Sequence, residues 1–345
     1  MRGLWSTRAV LLAAVLGLSL FPWVGEHYYV ELIIRLMVLG IFAMSLDLLI
    51  GFTGLVSFGH AAFFGLAGYI LAILTPETGP IGIWLALPAC LAACALAALV
   101  IGWFSVRTSG IYFIMITLAF AQMLFYFFNE NAALGSSDGT FIFFRPVISI
   151  GGTVLLNLDD PATFYYFVLA SLVGCYLLLT MILDAPFGQV IKGIRANEPR
   201  TRALGYPTFH YKLVSFVIAG TMAGFAGFLE ATHTGFVSPA HLGWHESGLV
   251  IMFVILGGMG TLYGPVIGAF TFGLLQDQFQ EVTEHWSLVI GVFVILVVLF
   301  LPNGIAGLVM RMAGGGSARS SDTSAATSAE TRRTAAPRAE EPAAE

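Results

Sequence analysis

Apolar runs long enough to cross a bilayer recur along the chain, parted by short polar or Gly- and Pro-containing breaks. A helix needs about 20 such residues to span the hydrocarbon. A sliding window of about 19 residues places runs at Ala9–Trp23, Tyr28–Ile50, Leu55–Leu74, Ile81–Trp103 and Gly110–Phe128. Further runs lie at Phe164–Leu183, Leu213–Ala231, Leu249–Leu262, Pro265–Phe279 and Leu288–Leu301. The pattern predicts an all-α fold: a polytopic transmembrane helix bundle of about ten spans, several of them short or broken by Gly. Arg2 and Arg8 precede the first run as in a signal peptide, but no small-x-small cleavage site occurs before Pro22-Trp23. The first helix is therefore expected to remain uncleaved.

Composition points the same way. Hydrophobic residues make up 58% of the chain and charged ones 10%, with a mean hydropathy of +0.87. A soluble domain carries about a quarter charged residues, so there are too few here to cover a water-facing surface, and lipid must solvate most of the protein. The net charge of −5 hides an asymmetry in where the basic residues lie. An even number of crossings puts Arg2, Arg8, Arg107, Lys192, Arg195, Arg200, Arg202, Lys212 and Arg311 on one side. The other side receives Arg145 with Glu26, Glu77, Asp138, Asp159, Asp160 and Glu284. By the positive-inside rule both termini are expected in the cytoplasm. Residues 1–311 read as one transmembrane domain, with an external loop over 129–163 and a long cytoplasmic loop over 184–212. The external loop is expected to carry short strands around Thr140–Phe144 and Thr153–Leu156. Residues 312–345 have a composition that cannot bury a core and are expected to form a disordered cytoplasmic tail. No basic stripe with interleaved aromatics is present, which argues against a nucleic-acid partner.

Absent motifs narrow the chemistry. No G-x-x-x-x-G-K-[ST] loop, G-x-S-x-G elbow or HExxH occurs. Cys90 and Cys94 fall one turn apart in an apolar run, where Cys behaves as a small hydrophobe, so neither they nor Cys175 is expected to form a disulfide or metal site. His241-x-x-x-His245-Glu246, with His233 upstream, has a metal-like spacing. Pro239 and the flanking glycines argue for a loop, and a fourth ligand is missing. No metal and no cofactor is expected.

Ionisable residues inside spans are costly and therefore candidates for function. Glu31 and Arg35, four apart, are expected to pair on one helix face. Asp47 lies near the other end of that helix, His60 within a Gly-rich helix, and Glu230 near the external end of its span. Gly51, Gly54, Gly59, Gly65 and Gly68 form one cluster, and Gly257, Gly258, Gly260, Gly264 and Gly268 a second. Together they point to Gly-broken helices and an internal pseudo-repeat around a central pathway. Any single Gly reads first as close helix packing, as in Gly220-x-x-x-Gly224. Candidates for the translocation path are Asp47, Gly54, Ser57, His60, Gly257, Gly258 and Gly260.

The cytoplasmic loop is the most specific segment. Gln189–Asn197 is expected to form a short amphipathic helix, and Glu198-Pro199 to begin a second that Gly205 and Pro207 end. A helix lying flat beneath the membrane suits a groove on a soluble partner; contact of its basic side with anionic lipid is an equal reading.

The loop, together with segments in both halves of the chain, resembles the permease subunits of branched-chain amino-acid ABC importers. The likeness runs through Ile194, Arg195, Glu198, Ala203, Leu204 and Gly205, then Phe216-Val-Ile-Ala-Gly220, Ala223-Gly224, Ala226-Gly227 and Ser238-Pro239. It continues through Leu256-Gly257-Gly258-Met-Gly260-Thr261 and Gly264-Pro265-Val-Ile-Gly268-Ala269. In the first half it covers Leu46-Asp47, Gly51-Phe-Thr-Gly54 and Ser57-Phe-Gly59-His60. Thr283-Glu-His-Trp286 and Pro302-Asn-Gly304 are similar too. The resemblance implies a non-catalytic half-transporter in the cell inner membrane, moving leucine, isoleucine, valine or close relatives inward. It also implies a second permease subunit, two ATP-binding subunits and a periplasmic or extracellular substrate-binding protein as partners, beside the lipid bilayer. The loop 184–212 then becomes the ATPase-coupling loop, with Gly193, Ile194, Arg195, Glu198, Arg202, Ala203, Leu204 and Gly205 as its contact residues. Gly193, where relatives often have Ala, and Ala196-Asn197, in place of a more acidic pair, are departures that bear on the partner contacts. Urea and short-chain amide permeases look alike enough to leave the cargo open. An ion-coupled secondary transporter would want intramembrane carboxylates and no ATPase. A membrane-embedded enzyme would need a cluster of acid, base or nucleophile at one depth.

Overall fold

A chain in lipid must satisfy its backbone hydrogen bonds within each segment, and the apolar runs accordingly fold as helices. The computed structural model describes residues 2–23, 25–76, 79–150, 153–156, 158–301 and 304–313. Most of the expected tail, together with Glu77 and Pro302-Asn303, lies outside the described residues. The helices are, in order, α1 (Arg2–Leu20), α2 (His27–Asp47), α3 (Ala61–Leu74), α4 (Ile83–Ser105), α5 (Ile111–Glu130) and α6 (Pro161–Asp184). The two short helices α7 (Pro186–Ala196) and α8 (Glu198–Ala203) precede α9 (Thr208–Thr234), α10 (Trp244–Gly257), α11 (Tyr263–Val282), α12 (Trp286–Phe300) and α13 (Gly304–Ala313). Among the described residues five helices are long and apolar enough to cross a membrane, namely α2, α4, α5, α6 and α9, the first continuing to Thr53. Shorter apolar helices cover Leu11–Trp23, Ala61–Leu74, Trp244–Gly257 and Trp286–Phe300.

Burial separates the centre from the rim. The apolar stretch of α2 is 89% buried and that of α9 72%, against 33%, 22% and 28% for α4, α5 and α6. The last three face outward, with Leu96, Met115, Phe127 and Met181 exposed, as helices in contact with lipid can be. In the interior α3 packs on α9 so closely that a side chain at Gly227 would collide with the Phe64 carbonyl oxygen. Cys94 Sγ donates to the Phe63 carbonyl at 3.4 Å and Cys90 Sγ to that of Ala67 at 3.6 Å. These thiols act as small packing groups that also satisfy a polar contact.

At one end short strands form, at both places where the external loop was expected to carry them. Strands β1 (Thr140–Phe141), β2 (Ile148–Ile150), β3 (Thr153–Leu156) and β4 (Phe236–Val237) form two antiparallel pairs. β2 and β3 make a hairpin, while β1 joins β4 with Thr140 opposite Val237. This ladder clasps the segment after α5 to the far end of α9. Arg145 strengthens the clasp, donating to the carbonyls of Leu158 at 3.0 Å and His233 at 3.1 Å.

Hydropathy and helix boundaries part company at two places. The run Leu55–Leu74 becomes helical only from Ala61, because Gly54 takes a left-handed φ of 81° and the chain stays non-helical to Gly59. The run Leu249–Leu262 shifts to Trp244–Gly257, ending where Gly258 adopts φ 113°.

Candidate functional site

Two regions at opposite ends of the same helices draw together the polar groups of the interior. At the first, α2 passes into a π-helical turn over Leu48–Thr53, a distortion that tends to mark functional positions. Asp47, the last residue of α2, is fully buried. Its Oδ1 accepts from the Gly260 N–H at 2.8 Å and its Oδ2 from the Leu262 N–H at 3.2 Å. One carboxylate thus joins the end of α2 to the irregular link between α10 and α11. Leu262, at φ 54° and ψ −50°, is the centre of a γ-turn closed by the Tyr263 N–H on the Thr261 carbonyl at 2.6 Å. This strained conformation costs on the order of 1–3 kcal/mol, and the bond to Asp47 helps to hold it there. A side chain at Gly51 would run into the Asp47 carboxylate and the Gly260 nitrogen, so the approach of the two segments requires glycine.

α7 lies across this junction. Proline starts it, and Gly188, Ile191 and Ile194 form its buried face. Lys192 donates to the Leu183 carbonyl at 3.1 Å, and Arg195 Nη1 donates to the Gly51 carbonyl oxygen. The Arg195 side chain also lies against Gly54 and Gly260. Asn197 caps α8 by accepting from the Arg200 N–H at 3.0 Å. Glu198 then ties α8 to the start of α9. Its Oε2 lies 2.7 Å from Lys212 Nζ, and its Oε1 accepts from Thr208 Oγ1 at 3.0 Å and Arg202 Nη2 at 3.1 Å. Partial burial works against ionisation of Glu198, but the hydrogen bond and charge of Lys212, helped by Thr208 and Arg202, outweigh it and hold the carboxyl below its usual range. Arg202, Ala203, Leu204, Gly205 and Tyr206 form an exposed tip, Leu204 being 72% exposed.

The sequence candidates thus divide. Of the loop residues, Gly193 faces Thr201, Ile194 is buried, Arg195 and Glu198 anchor the loop, and Arg202 to Gly205 point outward. Of the path candidates, Asp47, Gly54 and Gly260 meet around Arg195. Gly257 and Gly258 close the end of α10 nearby. Ser57 and His60 lie elsewhere in the interior. His60 Nε2 shares a 2.8 Å hydrogen bond with Ser45 Oγ and stacks on Phe42, while Ser57 Oγ accepts from the Gly59 N–H at 3.3 Å.

At the opposite end α2, α9, α10 and α11 enclose a cavity of about 580 Å³, within the range of small-molecule sites. Arg35 and Glu230 face each other across it, Arg35 Nε lying 3.8 Å from Glu230 Oε1. Glu246 and apolar groups of Leu36, Phe253 and Phe272 complete the walls that matter here. None of the seven path candidates borders this cavity. The expected Glu31–Arg35 pair does not form. Glu31 instead meets His27 at 3.3 Å, and Arg35 turns to Glu230. His27 and Arg35 both stand one turn from Glu31, so spacing alone cannot choose between them; the carboxylate on α9 decides. The partner of Arg35 was not legible, because it comes from a distant part of the sequence. The His241 and His245 spacing is divided by Gly243, His241 sitting in a 3-10 turn and His245 in α10. Among the described residues no three His, Cys, Asp or Glu gather as metal ligands.

Comparison with known proteins places this sequence among transport permeases. The family described as branched-chain amino acid transport system permease component matches residues 28–299. The chain is similar to the high-affinity branched-chain amino acid transport system permease protein LivM of Escherichia coli (strain K12), 27% identical over 316 residues that cover 86% of this chain and 74% of that protein. LivM of Salmonella typhimurium is 26% identical over 314 residues, with the same coverage of 86% and 74%. The L-arabinose ABC transporter permease protein AraH of Azospirillum brasilense is 24% identical over 199 residues, covering 54% of this chain and 55% of that protein. No solved structure matches.

Proposed function

The chain belongs to the branched-chain amino acid transport system permease family and is a permease subunit of an ABC importer; from that premise we propose how it works and what it carries. The cargo is leucine, isoleucine, valine or a close relative, as the names of the LivM relatives suggest. The subunit sits in the cell inner membrane beside a second permease subunit, above two ATP-binding subunits, and receives cargo from a periplasmic or extracellular binding protein. It crosses the bilayer ten times, the five long helices being joined by α1, α3, α10, α11 and α12. Residues 1–311 form the transmembrane domain, 129–163 an external loop, and 312–345 a cytoplasmic tail on the same side as the N-terminus.

The observation that carries the mechanism is that the loop 184–212 is fastened to two interior helices whose far ends wall the cavity. Arg195 holds the foot of α2 through Gly51, and Glu198 holds the foot of α9 through Lys212. The opposite ends of these helices bear Arg35 and Glu230. With 27 residues, α9 is about 40 Å long, so a push at α7 and α8 reaches the cavity through rigid elements. Closure of an ATPase dimer against the exposed tip would rock α2 and α9 and open the cavity to alternate sides. Energy comes from partner subunits, and the permease contributes pathway and lever.

The test is uptake of radiolabelled leucine by vesicles containing this subunit with its permease, ATPase and binding-protein partners, against vesicles lacking the ATPase. Uptake that depends on ATP and on the ATPase is expected; accumulation without either would overturn the reading.

A further inference from the structure

The cavity between α2, α9, α10 and α11 combines features the coupling mechanism does not require. Glu230 is a carboxylate nine-tenths buried, its side chain 9% exposed, and its Oε2 has no hydrogen-bond partner among the described residues. Arg35, 63% exposed, approaches Oε1 only to 3.8 Å, beyond hydrogen-bond distance. Leaving a charged acceptor buried and unmatched is expensive, and Glu230 lines the wall of a ligand-sized cavity from which a donor can arrive.

The balance of charge tells which donor. Four carboxylates border the cavity; Glu31 has a neighbour in His27 and Asp277 accepts from the Tyr28 hydroxyl, contacts that occupy their oxygens without cancelling their charge. Glu230 and Glu246 remain, within electrostatic reach of each other, and share one guanidinium. The buried wall therefore lacks a cation, while the exposed side offers one in Arg35, whose guanidinium makes no hydrogen bond among the described residues and can take a carboxylate. Leu36, Phe253 and Phe272 supply an apolar surface beside this polar pair.

We propose that this cavity is an entry site for the zwitterionic head of an L-α-amino acid, with Glu230 and Glu246 receiving the ammonium, Arg35 the carboxylate, and the apolar wall the side chain. This rests on the reading of the chain as an amino-acid permease and adds the recognising residues. A cation alone would leave Arg35 unused; a carboxylate alone would meet Glu230 as a like charge. Binding also separates Glu230 from Arg35, freeing the two helices the coupling loop is attached to.

The experiment uses the whole importer in nanodiscs, with Gln276→Cys, a cavity-lining position outside the proposed contacts, as reporter for a charged, membrane-impermeant thiol reagent. Labelling above that of the unsubstituted importer is measured with leucine, with isopentylamine, which lacks the carboxylate, and with 4-methylpentanoate, which lacks the ammonium. Leucine is expected to slow labelling at least about threefold and neither analogue to do so; Glu230→Gln in the same background removes the protection. In transport, Glu230→Gln and Arg35→Gln are expected to lower leucine uptake about tenfold or more, the loss of one charge-assisted contact. Arg35→Lys keeps the charge without the planar fork and recovers part of it. Equal protection by leucine and isopentylamine, absence of protection, or unchanged uptake in both Gln variants overturns the proposal. An unsubstituted importer that carries no leucine contradicts the proposed cargo, whereas one that carries leucine without protecting the cysteine overturns the site alone.

Discussion

Arg195, on the surface helix α7, donates a hydrogen bond to the carbonyl oxygen of Gly51, inside the π-helical turn that ends α2. The same side chain lies against Gly260, whose N–H is held by Asp47. A residue of the loop thus touches both interruptions of the helical bundle at once. Movement of α7 cannot leave the foot of α2 or the α10–α11 link where they were unless this contact breaks.

Asp47 is the keystone of that junction. Asp47→Ala leaves the N–H groups of Gly260 and Leu262 without their acceptor, and each such buried group costs about 1–3 kcal/mol. The variant is expected to unfold at a clearly lower temperature in detergent and to transport poorly. Ser57→Ala removes only an acceptor 3.3 Å from the Gly59 N–H and is expected to change the unfolding temperature far less. Equal melting of the two variants, monitored by intrinsic fluorescence, would show that the carboxylate bridge contributes little.

The Glu198–Lys212 contact makes a pH-dependent contribution whose sign is fixed. Lys212 and its neighbours hold the Glu198 carboxyl below its ordinary value of 4.5, so the folded state favours the ionised form. The resulting stability is present at neutral pH and fades as pH falls below about 4.5 and through the lowered folded value. The difference in unfolding temperature between the unsubstituted chain and Glu198→Gln should therefore be largest near neutrality and shrink in acid. A difference that grew on acidification would contradict the ion pair.

Close packing of α3 on α9 predicts a sharp contrast between two glycines. Gly227→Ala drives a methyl group into the Phe64 carbonyl, whereas Gly291 has nothing within 4 Å of the position a Cβ would take. Overpacking of this kind costs about 1–3 kcal/mol. Gly227→Ala is expected to lower the unfolding temperature and Gly291→Ala to leave it nearly unchanged, as thermal melts of the purified subunit can establish.

Much of this architecture was legible because hydropathy reports residue type directly. The apolar runs locate the helices, and the short helices of the loop were visible around Gln189–Asn197 and Glu198-Pro199, since Pro starts and an amphipathic pattern leave a local trace. What hydropathy could not see was backbone conformation: Leu55 and Val56 are apolar, yet Gly54 at φ 81° keeps them out of α3. The path candidates were chosen for chemistry and Gly content, and that criterion found the Asp47–Gly260 junction. It also selected His60, whose Nε2 shares a hydrogen bond with Ser45 and whose ring stacks on Phe42, while its buried Nδ1 has no partner among the described residues. The cavity escaped it because its defining pair, Arg35 with Glu230, joins helices far apart in the chain, while Glu31 offered a nearer, misleading partner at helical spacing. Arg195 stood out as a loop residue, but its acceptor is a backbone carbonyl, which no side-chain pattern announces.

The most direct test is the number of leucine molecules moved per ATP hydrolysed by the reconstituted importer carrying Arg195→Met, a change that keeps much of the side-chain bulk and removes the bond to Gly51. If α7 drives the foot of α2, that ratio falls about tenfold or more, a loss of roughly 1.4 kcal/mol of coupling or greater, while ATP hydrolysis continues. A ratio equal to that of the unsubstituted importer would mean that the loop transmits its movement by some other contact.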